Sequence, residues 1–432
     1  MVPCINEAST EIEHSMQAPS TITATGLPRH LLESLALKMV YLEGELSILD
    51  LSERMRLNFR LADTLFRHLR TEQLCEVTGM DGPVHRFTTT SQGKTRAMEF
   101  LAKSQYYGPA PVSLDAYVAR VQAQSLRSSE VRPANLERAF ERMVLGEETL
   151  AQLGTAAISG RSIFLYGPSG TGKTAIAETL PHIYQDAVWI PYAVEVDGNI
   201  ITVYDSGVHH PADDAAAADE TGDPDSTVDR RWVCCKRPSV VVGGELTIEM
   251  LELQVDRFSS HYSAPPQMKA NNGVLVIDDF GRQRVRPEEL LNRWIIPLDR
   301  RIDFLSLPGG RKFQVPFDLF VVFATNLDPN SLADAAFLRR IQTKIKIDYV
   351  SSEQFHEIFR RVCGHEHLEY ESSVVDELIG ELGRMNEPLR PCYPRDIVQH
   401  ILWAARYQSV PPQINRETVA AACRNYLLGS AA

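Results

Sequence analysis

The sequence predicts an α/β fold with a parallel central sheet, and three stretches predict it. Residues 162–174 read Ser-Ile-Phe-Leu-Tyr-Gly-Pro-Ser-Gly-Thr-Gly-Lys-Thr, an apolar strand running into a glycine-rich turn, and residues 175–184 continue as a helix. Residues 273–280 read Gly-Val-Leu-Val-Ile-Asp-Asp-Phe, an unbroken apolar run ending in two carboxylates, as expected of a strand buried on both faces. Residues 317–324 form a third apolar strand that delivers Thr325 and Asn326 at its C-terminal end.

The glycine turn defines the chemistry. A full GxxxxGK[ST] pattern after an apolar strand is a nucleotide phosphate cradle, spanning Gly167, Pro168, Ser169, Gly170, Thr171, Gly172, Lys173 and Thr174. Its backbone N–H groups must converge on phosphate oxygens through angles that a Cβ obstructs, hence the glycines. Lys173 is expected to reach the β- and γ-phosphates and Thr174 to ligate Mg²⁺, with the positive end of the following helix facing the same phosphates. In the second strand, Asp278 is expected to hold the Mg²⁺ shell and Asp279 to polarise the attacking water. The implied ligands are ATP and Mg²⁺, and the implied core is a three-layer αβα nucleotide-binding domain.

Length and composition frame that core. A chain of 432 residues exceeds one ordinary core, so two or three domains are expected. A hydrophobic share of 44% and a charged share of 23% are those of a globular protein. The formal net charge of −12 argues against a surface that coats nucleic acid overall, while leaving room for a local basic face. No apolar run approaches the roughly 18 residues needed to cross a bilayer, and residues 1–16 lack the basic and apolar regions of a signal peptide. A cytoplasmic protein without membrane insertion is expected. Seven scattered cysteines fit reduced thiols, and the cluster Cys363, His365, His367 lacks the second half of a tetrahedral metal site.

Along the chain, residues 1–26 read as a loose polar tail. Residues 27–108 then run helix, short helix, helix, hairpin, helix, with Asp81-Gly82 as the hairpin turn. This order resembles a winged helix-turn-helix domain. The resemblance puts residues 59–74 in the recognition-helix position, with Arg60, Arg67, His68 and Arg70 beside Asp63 and Glu72. Residues 27–104 carry 11 Lys/Arg against 10 Asp/Glu, so the module is nearly neutral, and a protein-facing role is favoured over contact with nucleic acid. Residues 109–131 read as a connector followed by a helix, and residues 132–348 as the nucleotide-binding core, interrupted by an acidic insertion at 205–229. After the core, residues 349–432 read as a helical lid. Within the core, residues 288–298 are expected to be a helix and residues 301–315 a hairpin around Pro308-Gly309-Gly310.

The order of motifs resembles the AAA+ ATPases over about residues 132–425: phosphate loop, Walker B, sensor 1, arginine finger, sensor 2. The resemblance assigns Asn326 to sensor 1, Arg339 or Arg340 to a finger reaching a neighbouring subunit's γ-phosphate, and Arg395 to sensor 2 in the lid. Of the two adjacent arginines, Arg340 aligns better with the finger. Where many relatives carry glutamate, Asp279 is one methylene shorter, which puts the rate of hydrolysis in question. The hairpin before sensor 1 points to the clade of MoxR-like chaperones, magnesium chelatase subunits and sigma-54 activators. The resemblance implies a homo-oligomeric ring, often a hexamer. It also implies an ATPase acting either as a remodeller of a protein client or as a DNA-associated regulator or loader, with a nucleotide switch of little turnover as a third reading.

Overall fold

The computed structural model describes residues 16–212, 228–255, 261–307, 309–332 and 335–426. The first module comprises α1 (Arg29–Glu43), β1 (Glu45–Ser47), α2 (Ile48–Met55), α3 (Phe59–Thr71), β2 (Cys75–Asp81), β3 (Val84–Thr89) and α4 (Ser91–Lys103). Its helices start where short polar side chains satisfy the orphan N–H groups. Ser47 and Asp50 form a capping box on α2, Asn58 accepts from Leu61 N at 2.9 Å, and Thr90 accepts from Gly93 N at 3.0 Å. The three strands form an antiparallel sheet ordered β1-β3-β2, turning at Gly82 with φ 56°. Leu61, Leu65, Phe66 and Leu69 bury one stripe of α3, with Phe66 4.4 Å from Phe87. The helix expected over 59–74 ends at Thr71, because Gln73 reverses the chain at φ 57° and Leu74 N closes onto Leu69 O at 2.8 Å.

Next come β4 (Val112–Ser113), α5 (Leu114–Ala123), α6 (Pro133–Ala139), α7 (Glu147–Ser159), β5 (Ile163–Tyr166), α8 (Lys173–Thr179), β6 (Ala187–Pro191), β7 (Ala193–Val196), β8 (Asn199–Thr202), β9 (Trp232–Lys236) and β10 (Ser239–Val242). Residues 16–26 differ from the expected loose tail, and residues 109–131 hold β4 in addition to the expected helix, α5. Met16 is buried at 4% exposure, and β4 pairs parallel with β7. The buried Arg231 guanidinium explains much of this: it pairs with Asp229 at 2.7 Å and donates to Thr25 O and Pro111 O at 3.2 and 3.1 Å. A buried charge of this kind is tolerated only when its donors are met, so both segments are held to it. The helix expected over 175–184 stops at Thr179 and tightens into a 3-10 turn, Leu180–Ile183, where Pro181 has no N–H to continue the ladder.

The chain continues with β11 (Gln254–Val255), β12 (Tyr262–Ser263), α9 (Pro266–Lys269), β13 (Val274–Ile277), α10 (Pro287–Arg300), β14 (Ile302–Ser306), β15 (Lys312–Pro316), β16 (Phe320–Thr325), α11 (Pro329–Leu332), α12 (Ala335–Leu338) and β17 (Thr343–Lys346). Five strands form the central parallel sheet, ordered β10-β13-β16-β5-β17. Its inner strands β13, β16 and β5 read as unbroken apolar runs because both faces are covered, whereas the edge strand β17 alternates as Thr-Lys-Ile-Lys. Leu275, Ile277, Phe323 and Phe164 pack on one side with Trp294 and Phe280. Val274, Val276, Val322 and Leu165 pack on the other with Ile176 and Leu153. The β14–β15 hairpin lies where residues 301–315 were expected to form one, although Pro308 lies outside the described residues.

A second five-stranded sheet, ordered β11-β12-β8-β7-β4, and the β6–β9 pair form a β layer that the sequence reading did not anticipate. Asp197-Gly198, at φ 51° and 80°, turns β7 into β8 and is a strong hairpin signal. The carboxylates that defined the acidic insertion, Asp213, Asp214, Asp219, Glu220, Asp223 and Asp225, lie outside the described residues. The C-terminal helices α13 (Ser352–His365), α14 (Ser372–Arg384), α15 (Tyr393–Gln408) and α16 (Arg416–Tyr426) share their own core around Phe355, Phe359, Leu378 and Ile397.

Candidate functional site

Parallel pairing brings the C-terminal ends of β5, β16 and β13 side by side, with Thr325 opposite Tyr166 and Ile277 opposite Phe323. The glycine turn leaves β5 at Gly167, and the acidic pair leaves β13 two strands away. Gly167, Gly170 and Gly172 all take positive φ, at 145°, 80° and 86°. A Cβ on Gly167 would sit 2.1 Å from Ile347 O, so close backbone approach and backbone angle both demand glycine there. Thr171 Oγ1 donates to Pro168 O at 2.9 Å and stiffens the loop, while Ser169 is exposed at its tip.

Lys173 opens α8 and is 9% exposed. Its ammonium turns back into the loop and donates to Gly167 O at 3.0 Å and Pro168 O at 2.7 Å. Burial pulls its pKa below the usual lysine value, against the opposing pull of Asp278 and Asp279. Thr174 Oγ1 lies 2.9 and 3.1 Å from the two carboxylate oxygens of Asp278. Residues 104 apart in sequence thus meet as a hydroxyl and a carboxylate, hard oxygen donors of the kind Mg²⁺ takes. Asp279 follows at φ 48°, exposed, with its N–H on Asp278 Oδ1 at 3.0 Å. Gln283 Nε2 donates to Asp278 O at 2.8 Å and fixes this acidic corner from behind.

Asn326 lies half-buried just past β16, and its side chain has no hydrogen-bond partner among the described residues. The neighbouring Thr325 hydroxyl is committed to Phe280 O at 2.7 Å, which ties the β16 end to the acidic corner. The C-terminal helical region reaches the loop at Gly170, where a Cβ would lie 3.0 Å from Cys392 Sγ and 3.4 Å from Arg390 Cδ. Arg390 is therefore a loop neighbour that the sequence reading missed. It stacks on the Tyr393 ring at 5.5 Å, and its Nε is buried without a hydrogen-bond partner. Arg395, at the start of α15, is 74% exposed in its side chain and bonds to Asp396 at 3.0 Å.

Arg339 and Arg340 are not brought to this loop. They line a separate cavity with Arg161 and Ser162, which precede β5, and Gln342, which precedes β17. That is the N-terminal end of the sheet, a strand length of roughly 13 Å from the glycine loop at about 3.3 Å per residue. Arg340 pairs with Asp299 at 2.9 Å, whereas Arg339 is exposed with no side-chain partner among the described residues.

The Cys363, His365, His367 group does not converge. Cys363 is buried in the lid core, and no metal-holding cluster of His, Cys, Asp and Glu occurs among the described residues. No described helix is long and apolar enough to cross a membrane.

Residues 351–425 match a family model described as a domain of unknown function (DUF8689). No curated protein matches the chain. Among solved structures, the Thermotoga maritima RuvB Holliday junction branch migration motor aligns over 69% of this chain and 72% of its own, at 17% identity and TM-score 0.35. Domain III of the Thermotoga maritima replication initiation protein DnaA aligns over 69% of this chain and 100% of its own, at 14% identity and TM-score 0.37. NtrX from Brucella abortus aligns over 72% and 58%, at 13% identity and TM-score 0.38.

Proposed function

We propose that this chain is an AAA+ ATPase that binds ATP with Mg²⁺ and hydrolyses it to ADP and phosphate. The observation that carries the reading is the meeting of Thr174 with Asp278 beside a glycine loop capped by Lys173. When bound, Mg–ATP supplies the phosphoanhydride bond that water breaks. Loop N–H groups and Lys173 would hold the phosphate oxygens, the charged ligand displacing the two neutral carbonyls that Lys173 engages. Thr174 and Asp278 would hold the metal, Asp279 would accept a proton from the attacking water, and Asn326 would orient it.

Arg395 and Arg390 are the lid cations available to developing phosphate charge. The stacking of Arg390 against Tyr393 and its approach to Gly170 support its inclusion. A finger role for Arg339 or Arg340 requires a second copy, because both lie at the far end of the sheet from their own loop, and this favours a homo-oligomeric ring. The work done by hydrolysis is read as remodelling of a protein client, with residues 27–108 as a winged-helix adaptor. Pairing of Arg67 with Asp63 at 2.7 Å reduces the basic face that α3 offers to DNA and supports this choice.

Mg²⁺-dependent ATP turnover by the full chain tests the reading. Lys173→Ala is expected to remove ATP binding and turnover, and Asp279→Asn to lower turnover about a hundredfold with ATP binding retained. Undiminished hydrolysis in both variants would reject it.

A further inference from the structure

Five arginines, Arg127, Arg161, Arg301, Arg339 and Arg340, converge on one cavity of 190 Å³ at the N-terminal end of the central sheet. Among the described residues the only carboxylate lining it is Asp299, already paired with Arg340. Arg301 is held in place by its bond to Gly160 O, and its Nη1 lies 3.6 Å from Asp318 Oδ1. Asp318 is largely spent elsewhere, accepting from Ser125, Leu126 N and Asn272. Arg127, Arg161 and Arg339 have no side-chain ion pair among the described residues. Burial first, then the charges of Arg127 and Arg161, pull the pKa of Arg301 down to about 10 against Asp318. Guanidinium groups gathered this way repel one another unless an anion lies between them, and their planar forks match phosphate oxygens.

We infer that this cavity is a second anion site, which takes a phosphate-bearing group between Arg127, Arg161 and Arg301 in addition to the finger pair. It shares no residue with the phosphate loop. The same chemistry has two sources: a free phosphate anion, or the phosphates of a nucleotide held by a second copy of this chain. Only the second source rests on the nucleotide reading above.

The test uses the full chain carrying Lys173→Ala, which disables the phosphate loop. Calorimetric titration with pyrophosphate at low salt is expected to show saturable binding, weakened about tenfold or more by adding Arg127→Ala and Arg161→Ala. Both positions are exposed, and Arg127→Lys with Arg161→Lys, which keeps the charge, is expected to recover part of the binding. In the second arm, sedimentation of the otherwise unmodified chain with Mg–ATP is compared with that of Arg127→Ala/Arg161→Ala. Nucleotide-dependent assembly lost in the double variant assigns the anion to a second copy, and pyrophosphate binding without such assembly assigns it to a free anion. The inference is overturned if neither response appears, or if both are indifferent to the two arginines. ATP titration of the unmodified chain reports separately on the nucleotide reading.

Discussion

The two ends of the central sheet present positive groups in opposite ways. At the C-terminal end, the cradle is backbone, three positive-φ glycines with one buried lysine and a threonine–aspartate pair. At the N-terminal end it is side chain, five guanidinium groups drawn from distant segments around a cavity. Backbone cradles depend on a local sequence that permits one loop shape, whereas a guanidinium cluster depends on which loops the fold happens to gather. The first is a pattern in the chain and the second exists only in three dimensions.

Lys173→Ala should break the C-terminal end outright: ATP binding and turnover are expected to fall below detection in calorimetric and phosphate-release assays. Arg339→Ala is expected to slow turnover by about a thousandfold with ATP binding by the single chain unchanged, since a finger contributes roughly three to five powers of ten. Arg340→Ala should cost less, because Arg340 is already paired with Asp299; an equal or larger loss would transfer the finger to Arg340. For Asp279→Asn, turnover should drop about a hundredfold with affinity for ATP retained. Gly167→Ala acts on the fold itself. A Cβ 2.1 Å from Ile347 O, at φ 145°, is expected to cost about 2–4 kcal/mol, read as a lowered midpoint in chemical denaturation.

The same contrast explains what could be read from residues alone. Gly167 to Thr174 and Asp278-Asp279 were legible because spacing along one strand and one turn encodes them, and the first module was legible from its stripes and from Asp81-Gly82. The order β10-β13-β16-β5-β17 was not, since no local pattern fixes which strands become neighbours. Arg390 was missed because its approach to Gly170 depends on how the lid sits on the loop. Arg127, Arg161 and Arg301 are ordinary surface arginines in sequence, and only the packing of α7, α10 and the strand starts gathers them. The β layer left one overlooked signal, the Asp197-Gly198 turn between Ala193–Val196 and Asn199–Thr202. Residues 16–26 looked loose because their apolar anchors are few, yet Arg231 reaches both this segment and Pro111 from more than a hundred residues away.

In the proposed ring the two ends of the sheet meet between copies, so that one chain's loop works with another chain's arginines. Mixing two silent variants tests it most directly: Lys173→Ala, which keeps the arginines, with Arg339→Ala/Arg340→Ala, which keeps the loop. ATP turnover is expected to appear on mixing, rising with the fraction of mixed assemblies. Persistent silence in mixtures shown by sedimentation to contain both chains would contradict the account.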